Sequence, residues 1–110
     1  MSYQHNALAA GRWKQFSFAE QMANVASEVE RALNWRAKHN TAYAQRAFER
    51  ALELLDLTLA DASSGARLKE LARVRESLVD FFVGENVYLS TDVSWRKYFS
   101  PFCYAARRHH

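Results

Sequence analysis

From Ser17 onward the apolar residues Phe18, Met22, Val25, Val29 and Leu33 recur every three or four positions. Glu20, Asn24, Glu28, Arg31 and Lys38 fall on other faces. That period predicts a helix over 17–39 with one buried stripe. Ser17-Phe18-Ala19-Glu20 has the form of a capping box, and Asn40-Thr41 can close this helix and cap the next. The second helix, 41–61, places Tyr43, Ala47, Phe48, Ala51, Leu52, Leu55 and Leu59 on an arc broad enough for two neighbours. Ala62-Ser63-Ser64-Gly65 reads as a tight turn using the conformational freedom of glycine, so the next helix should run antiparallel. Over 66–83, Leu68, Leu71, Val74, Leu78, Phe81 and Phe82 face inward, and Gly84 is expected to stop the helix. Ser90 or Thr91 can cap a last helix over 91–107, where Trp95, Phe99, Phe102 and Ala106 form one apolar line. Pro101 demands either a kink or a restart capped by Ser100. Residues 1–16 lack a period, and Tyr3, Trp13 and Phe16 mark them as an arm laid on the body. The expectation is an all-α, up-down bundle of four to five helices in a single domain, 1–110.

Composition narrows what such a bundle can do. No apolar run approaches a membrane span, and the first residues have neither a basic start nor a long apolar core, so a cytoplasmic protein with no membrane partner is expected. Cys103 is the one cysteine, which excludes an intrachain disulfide and a zinc site of several thiolates; between Phe102 and Tyr104 it reads as a packed thiol. Three glycines and one proline leave little turn chemistry for an all-β fold and no Gly-rich phosphate loop. His5 and His39 have no acids at metal-binding spacing, and His109 and His110 close the chain. No cofactor is implied.

Two sets of residues carry candidate chemistry. Glu49, Glu53 and Asp56 lie at i, i+4 and i+7, and Glu76 and Asp80 lie four apart on the next helix. Such pairs on facing helices can hold Mg²⁺ against a triphosphate, and the spacing resembles the paired acidic motifs of the all-α nucleoside triphosphate pyrophosphatases. Arg46 and Arg50 are interleaved with these acids, so helix-spaced ion pairs on a solvated face compete with a metal site. Asp80, inside the apolar run LVDFF, and Arg75, beside Val74, each need a partner, and a structural ion pair competes with a ligand contact. The second set puts an indole beside a cation: Arg12-Trp13-Lys14, Trp35-Arg36 and Trp95-Arg96-Lys97. That pairing stacks on bases and neutralises phosphates, although Trp at helical spacing also anchors cores. The net +3 hides an uneven spread, with +2 over 1–40, −2 over 41–89 and +3 over 90–110. A nucleic-acid surface would therefore need the first and last helices to meet. Trp35, Arg36, Arg75, Asp80, Trp95, Arg96 and Lys97 are the candidate ligand-binding residues.

The segments SFAEQMANVASEVERALNWR, FERALELLDLTLAD, RVRESLVDFF and WRKYFSPFCYAAR resemble a family of short archaeal and bacterial helical proteins, which in turn resembles the HEPN group of helical bundles. The likeness runs from Trp13 to Arg108. It implies the scaffold, an affinity for nucleotide or RNA, and a partner protein such as a nucleotidyltransferase. RNA-cleaving HEPN members carry an Arg followed four to six residues later by a His. This chain departs from that pattern, because Arg36 and His39 are three apart and Arg31 and His39 eight, which puts cleavage in doubt. AYAQRAFERALELLD also resembles the second helix of a tetratricopeptide repeat, but nothing returns at the period of an array. Three Trp, five Tyr and seven Phe exceed what one small core readily hides, so a homodimer is expected. The function expected is non-enzymatic binding of nucleotide, RNA or a partner protein. The alternatives are the Mg²⁺-dependent pyrophosphatase and an interaction module without a small ligand.

Overall fold

The computed structural model describes residues 11–108, and every regular element among them is a helix. Residues 11–13 are helical, and four longer helices follow: α1 (Phe18–Ala37), α2 (Thr41–Ala60), α3 (Gly65–Phe82) and α4 (Asp92–Arg108). The all-α bundle expected from the pattern is the fold. Tyr3, His5, His109 and His110 lie outside the described residues.

Each helix begins on a side-chain cap that satisfies an otherwise orphaned N–H. Ser17 Oγ accepts from the Glu20 N–H at 3.1 Å while Glu20 Oε1 accepts from the Ser17 N–H at 2.8 Å, the reciprocal box that starts α1. Asn40 Oδ1 caps α2 through the Tyr43 N–H, and Ser64 Oγ caps α3 through the Arg67 N–H. Thr91 and Ser94 exchange bonds of 2.8 and 3.0 Å at the start of α4. α1 ends in a Schellman closure, with the Asn40 N–H on the Trp35 carbonyl at 2.9 Å and the His39 N–H on the Arg36 carbonyl at 3.0 Å. His39 takes the left-handed position of that motif, with φ 61°.

The glycines work differently from the turn chemistry expected of them. Gly65 is the first residue of α3, no described glycine has a positive φ, and a Cβ there would meet nothing within 4 Å. The tight turn is closed by the Ser64 cap instead. Gly84 follows the α3 cap Val83, and a Cβ there would stand 3.0 Å from both Cα and O of Asp80. Close approach, not left-handed geometry, is its requirement. Pro101 lies inside a continuous α4, so Ser100 does not begin a second piece. The missing N–H leaves the Lys97 carbonyl without that helical bond.

Contacts in register show the up-down order. Trp35 meets Tyr43 and Gln21 bonds Asp61, so α1 and α2 are antiparallel. Phe48 meets Phe82 and Asp56 meets Arg75, so α2 and α3 are too. Glu30 meets Arg96 and Phe18 meets Phe102, which sets α4 antiparallel to α1. The backbones of α1 and α2, α1 and α4, and α2 and α3 pack closely, whereas those of α3 and α4 barely approach one another. Met22, Val25, Leu33, Leu55, Leu71 and Leu78 fill the core.

The described part of the arm is tied down. Trp13 is buried, its Nε1–H donates to Thr58 Oγ1 at 3.0 Å, and its carbonyl accepts from Gln21 Nε2 at 3.0 Å. Most described aromatics also find ring partners within the one chain, through Phe48–Phe82, Phe81–Trp95 and Trp95–Phe99. The exposed large apolar side chains include Phe16, Tyr43, Leu68 and Tyr104 and a run close in sequence, Val83, Val87, Tyr88, Leu89 and Val93. Among the described residues, no helix is long and apolar enough to cross a membrane.

Candidate functional site

The seven candidate ligand residues do not converge, because most are committed to the fold. Arg75 Nε donates to Asp56 Oδ1 at 2.8 Å, joining α3 to α2. Asp80 is not its partner. The Asp80 carboxylate accepts from the backbone N–H groups of Val87 and Tyr88 at 2.9 and 3.0 Å, fixing the α3–α4 connection. Arg36 lies 4.7 Å from the Phe81 ring centroid and reaches the Phe81 carbonyl at 3.5 Å, where the end of α3 favours a cation. Arg96 Nε donates to both Glu30 oxygens at 2.9 and 3.1 Å, so α1 and α4 do meet, but through a paired cation. Lys97 is exposed, and Trp95 is buried.

The acidic set disperses as well. Glu49 accepts from Gln45, Asp56 holds Arg75, Glu76 accepts from the Tyr88 hydroxyl at 2.7 Å, Asp80 holds its loop, and Glu53 is half-buried on α2. Among the described residues, no group of three or more His, Cys, Asp or Glu could hold a metal ion. The Mg²⁺ site read from Glu49, Glu53, Asp56, Glu76 and Asp80 is therefore corrected. Helical spacing put the acids on shared faces, but Glu49 meets a side-chain amide, Asp56 a guanidinium, Glu76 a phenol and Asp80 backbone N–H groups instead of the other acids.

Two arrangements emerge in their place. The first spans the α1–α2 hairpin, where Arg31, Trp35, Tyr43, Arg46 and Arg50 line a shallow groove of about 220 Å³. Trp35 and Tyr43 meet edge to face at 4.8 Å. Arg46 stacks 4.7 Å from the Tyr43 centroid, and Lys38 Nζ lies 5.3 Å from that of Trp35. Beneath them the buried Glu28 takes Arg31 at 3.1 Å and Arg50 at 3.6 Å, so two guanidinium groups share one carboxylate. Residues 31–50 hold Arg31, Arg36, Lys38, Arg46 and Arg50 against the lone acid Glu49, a local +4 in a chain of net +3. Dividing the chain at residue 40 splits this patch, since half of it lies on each helix. The signal that finds it is the absence of any Asp or Glu from 31 to 48.

The second arrangement is the gap between α3 and α4, a cleft of about 490 Å³. Lys69, Glu70, Arg73 and Ser77 line it from α3, Tyr88 and Ser90 from the connection, and Ser94, Trp95 and Tyr98 from α4. The Tyr98 hydroxyl donates to Glu70 Oε2 at 2.8 Å. Burial, together with that bond and the carboxylate charge, holds the Tyr98 phenol well above its ordinary range. Tyr88 is shifted upward too, chiefly by its hydrogen bond to Glu76. Both phenols therefore remain protonated donors at neutral pH. Of the earlier candidates only Trp95 belongs to this cleft. Lys69 and Arg73 fall off the apolar stripe of α3, and a helical wheel cannot show that the next helix stands off beside them.

Comparison with protein-family models, curated proteins and solved structures gives no match to this chain.

Proposed function

We propose that this protein is a HEPN-like bundle that binds single-stranded RNA on the α1–α2 face without cutting it. The observation that carries the proposal is the concentration of Arg31, Lys38, Arg46 and Arg50 around the half-buried Trp35 and the exposed Tyr43. Unstacked bases lie on aromatic faces or guanidinium planes while neighbouring cations neutralise phosphates. Binding without cleavage follows from the departure in Arg–His spacing. In keeping with that, His39 is held at the α1 terminus by the closure it serves.

The test is fluorescence anisotropy of a labelled oligouridine across a salt series. Binding should weaken steeply with salt, and each of Arg46→Ala and Arg50→Ala should reduce the slope of log K against log salt by about 0.7. Lys97→Ala should leave the slope unchanged. No binding at low salt, or equal binding by the Arg46→Ala, Arg50→Ala double variant, rejects the proposal. Light scattering on the same samples reads the proposed homodimer, whose ground is the exposed run Val83, Val87, Tyr88, Leu89 and Val93.

A further inference from the structure

We propose that the α3–α4 cleft is a second, separate binding site, for a small aromatic anion. Its volume, about 490 Å³, lies within the range of sites that enclose small organic ligands. The gap is a built feature. The Phe81 and Trp95 rings meet at 6.5 Å and the Tyr98 hydroxyl reaches Glu70, so side chains prop the two helices at a separation their backbones do not close.

The rim is equally determined. Asp80 fixes Val87 and Tyr88 through their backbone N–H groups, and Asn86 exchanges two bonds with Ser90, donating to its carbonyl at 2.9 Å and accepting from its N–H at 2.8 Å. Tyr88 thereby stands as a wall of fixed position instead of a frayed loop side chain.

The chemistry inside selects the ligand class. Tyr88, Trp95 and Tyr98 give aromatic surface for a planar ring. Lys69 and Arg73, four apart on one face of α3, line the cleft and are exposed, and neither takes part in an ion pair among the described residues. The carboxylates beside them, Glu70 and Glu76, each accept a phenol hydroxyl. Each carboxylate keeps its charge but is held against a phenol, whereas Lys69 and Arg73 take no carboxylate among the described residues and are the cations at the mouth that an anionic substituent would meet. The Trp95 Nε1–H is buried and has no acceptor among the described residues.

The site is tested with two fluorescent probes of nearly the same shape, anilinonaphthalene sulfonate and uncharged phenylnaphthylamine. Saturable binding of the sulfonate is expected, weakened by about tenfold or more in the Lys69→Ala, Arg73→Ala double variant, with phenylnaphthylamine binding unchanged. Ser77→Trp, which fills the cleft, should abolish both. Circular dichroism of each variant checks that helix content is retained, and the two independent variants guard against one failing to fold. Sulfonate binding that survives both variants, or no saturable binding by the native protein, overturns the proposal. The Arg46→Ala, Arg50→Ala variant should bind both probes normally, so this site and the RNA face stand or fall separately.

Discussion

The α1–α2 and α3–α4 interfaces both join antiparallel neighbours in chain order, yet one is closed and the other open. Buried alanines sit on the closed side, Ala32 on α1 and Ala47 and Ala51 on α2, and small side chains let helix axes approach. Across α3–α4 the spanning residues are large: the Phe81 and Trp95 rings meet tilted at 6.5 Å, and Tyr98 reaches Glu70 through its hydroxyl. Both interfaces appear in the sequence as apolar stripes of helical period. What separates a seam from a cleft is the size of the residues on the stripe, and size decides how much surface is left for a ligand.

The largest effect expected comes from adding the same bulk to each interface. Ala51 is fully buried in the core, so Ala51→Leu should cost about 1–3 kcal/mol by forcing neighbours from their rotamers. Ser77 lines the cleft and is only half-buried, so Ser77→Leu should stay within about 0.5 kcal/mol of the native protein. Urea unfolding measures both. Equal losses would show that the cleft closes in solution and that the contrast between the interfaces is not real.

A second change probes what keeps the cleft rim in place. Gly84→Ala drives a methyl to within 3.0 Å of the Asp80 backbone, at the residue whose carboxylate holds Val87 and Tyr88. The backbone must shift, with an expected loss of about 1–2 kcal/mol. Hydrogen exchange at the Val87 and Tyr88 amides should accelerate while the amides of α1 and α2 keep their protection. Uniform acceleration across the chain would mean that the loop has no local unit of stability.

Much of this fold is legible in the residues themselves, for local reasons. The Ser17–Glu20 box, the Asn40 cap and the stripes of α1 to α4 depend on neighbours three or four residues away, which a single chain displays. The glycines were harder to read. Gly84 is needed because of a backbone approach and Gly65 for no left-handed turn, while the left-handed positions fell to His39, Asn86 and Leu89. The candidate sites were harder still. Arg50 answers Glu28 on α1 and not the acids one turn away on its own helix, and Asp80 answers backbone amides beyond Gly84. Those partners depend on which helix lies beside which and at what register. Periodicity predicts that a face is buried, but not the charge of what buries it.

The smallest effect concerns the phenol that bridges the open interface. Tyr98 donates to Glu70 and is partly shielded, and both factors raise its pKa above the ordinary 10.0. The unfolded chain releases this proton near the ordinary value, and the folded chain holds it to higher pH. Tyr98 therefore contributes stability that is complete below pH 10.0 and is lost as the pH rises above it, because only the unfolded state gains by ionising there. Tyr98→Phe removes the bond to Glu70, so it should be less stable than the native protein at neutral pH. The gap should narrow between about pH 10 and about pH 11.5. A spectrophotometric titration separates this from general alkaline unfolding. While the protein is folded, native and Tyr98→Phe chains should show the same phenolate absorbance up to about pH 11, since Tyr98 does not ionise in that range. A deficit of one phenolate in the variant near pH 10 would mean that Tyr98 titrates like a free tyrosine and that the Glu70 bridge across the cleft is not formed.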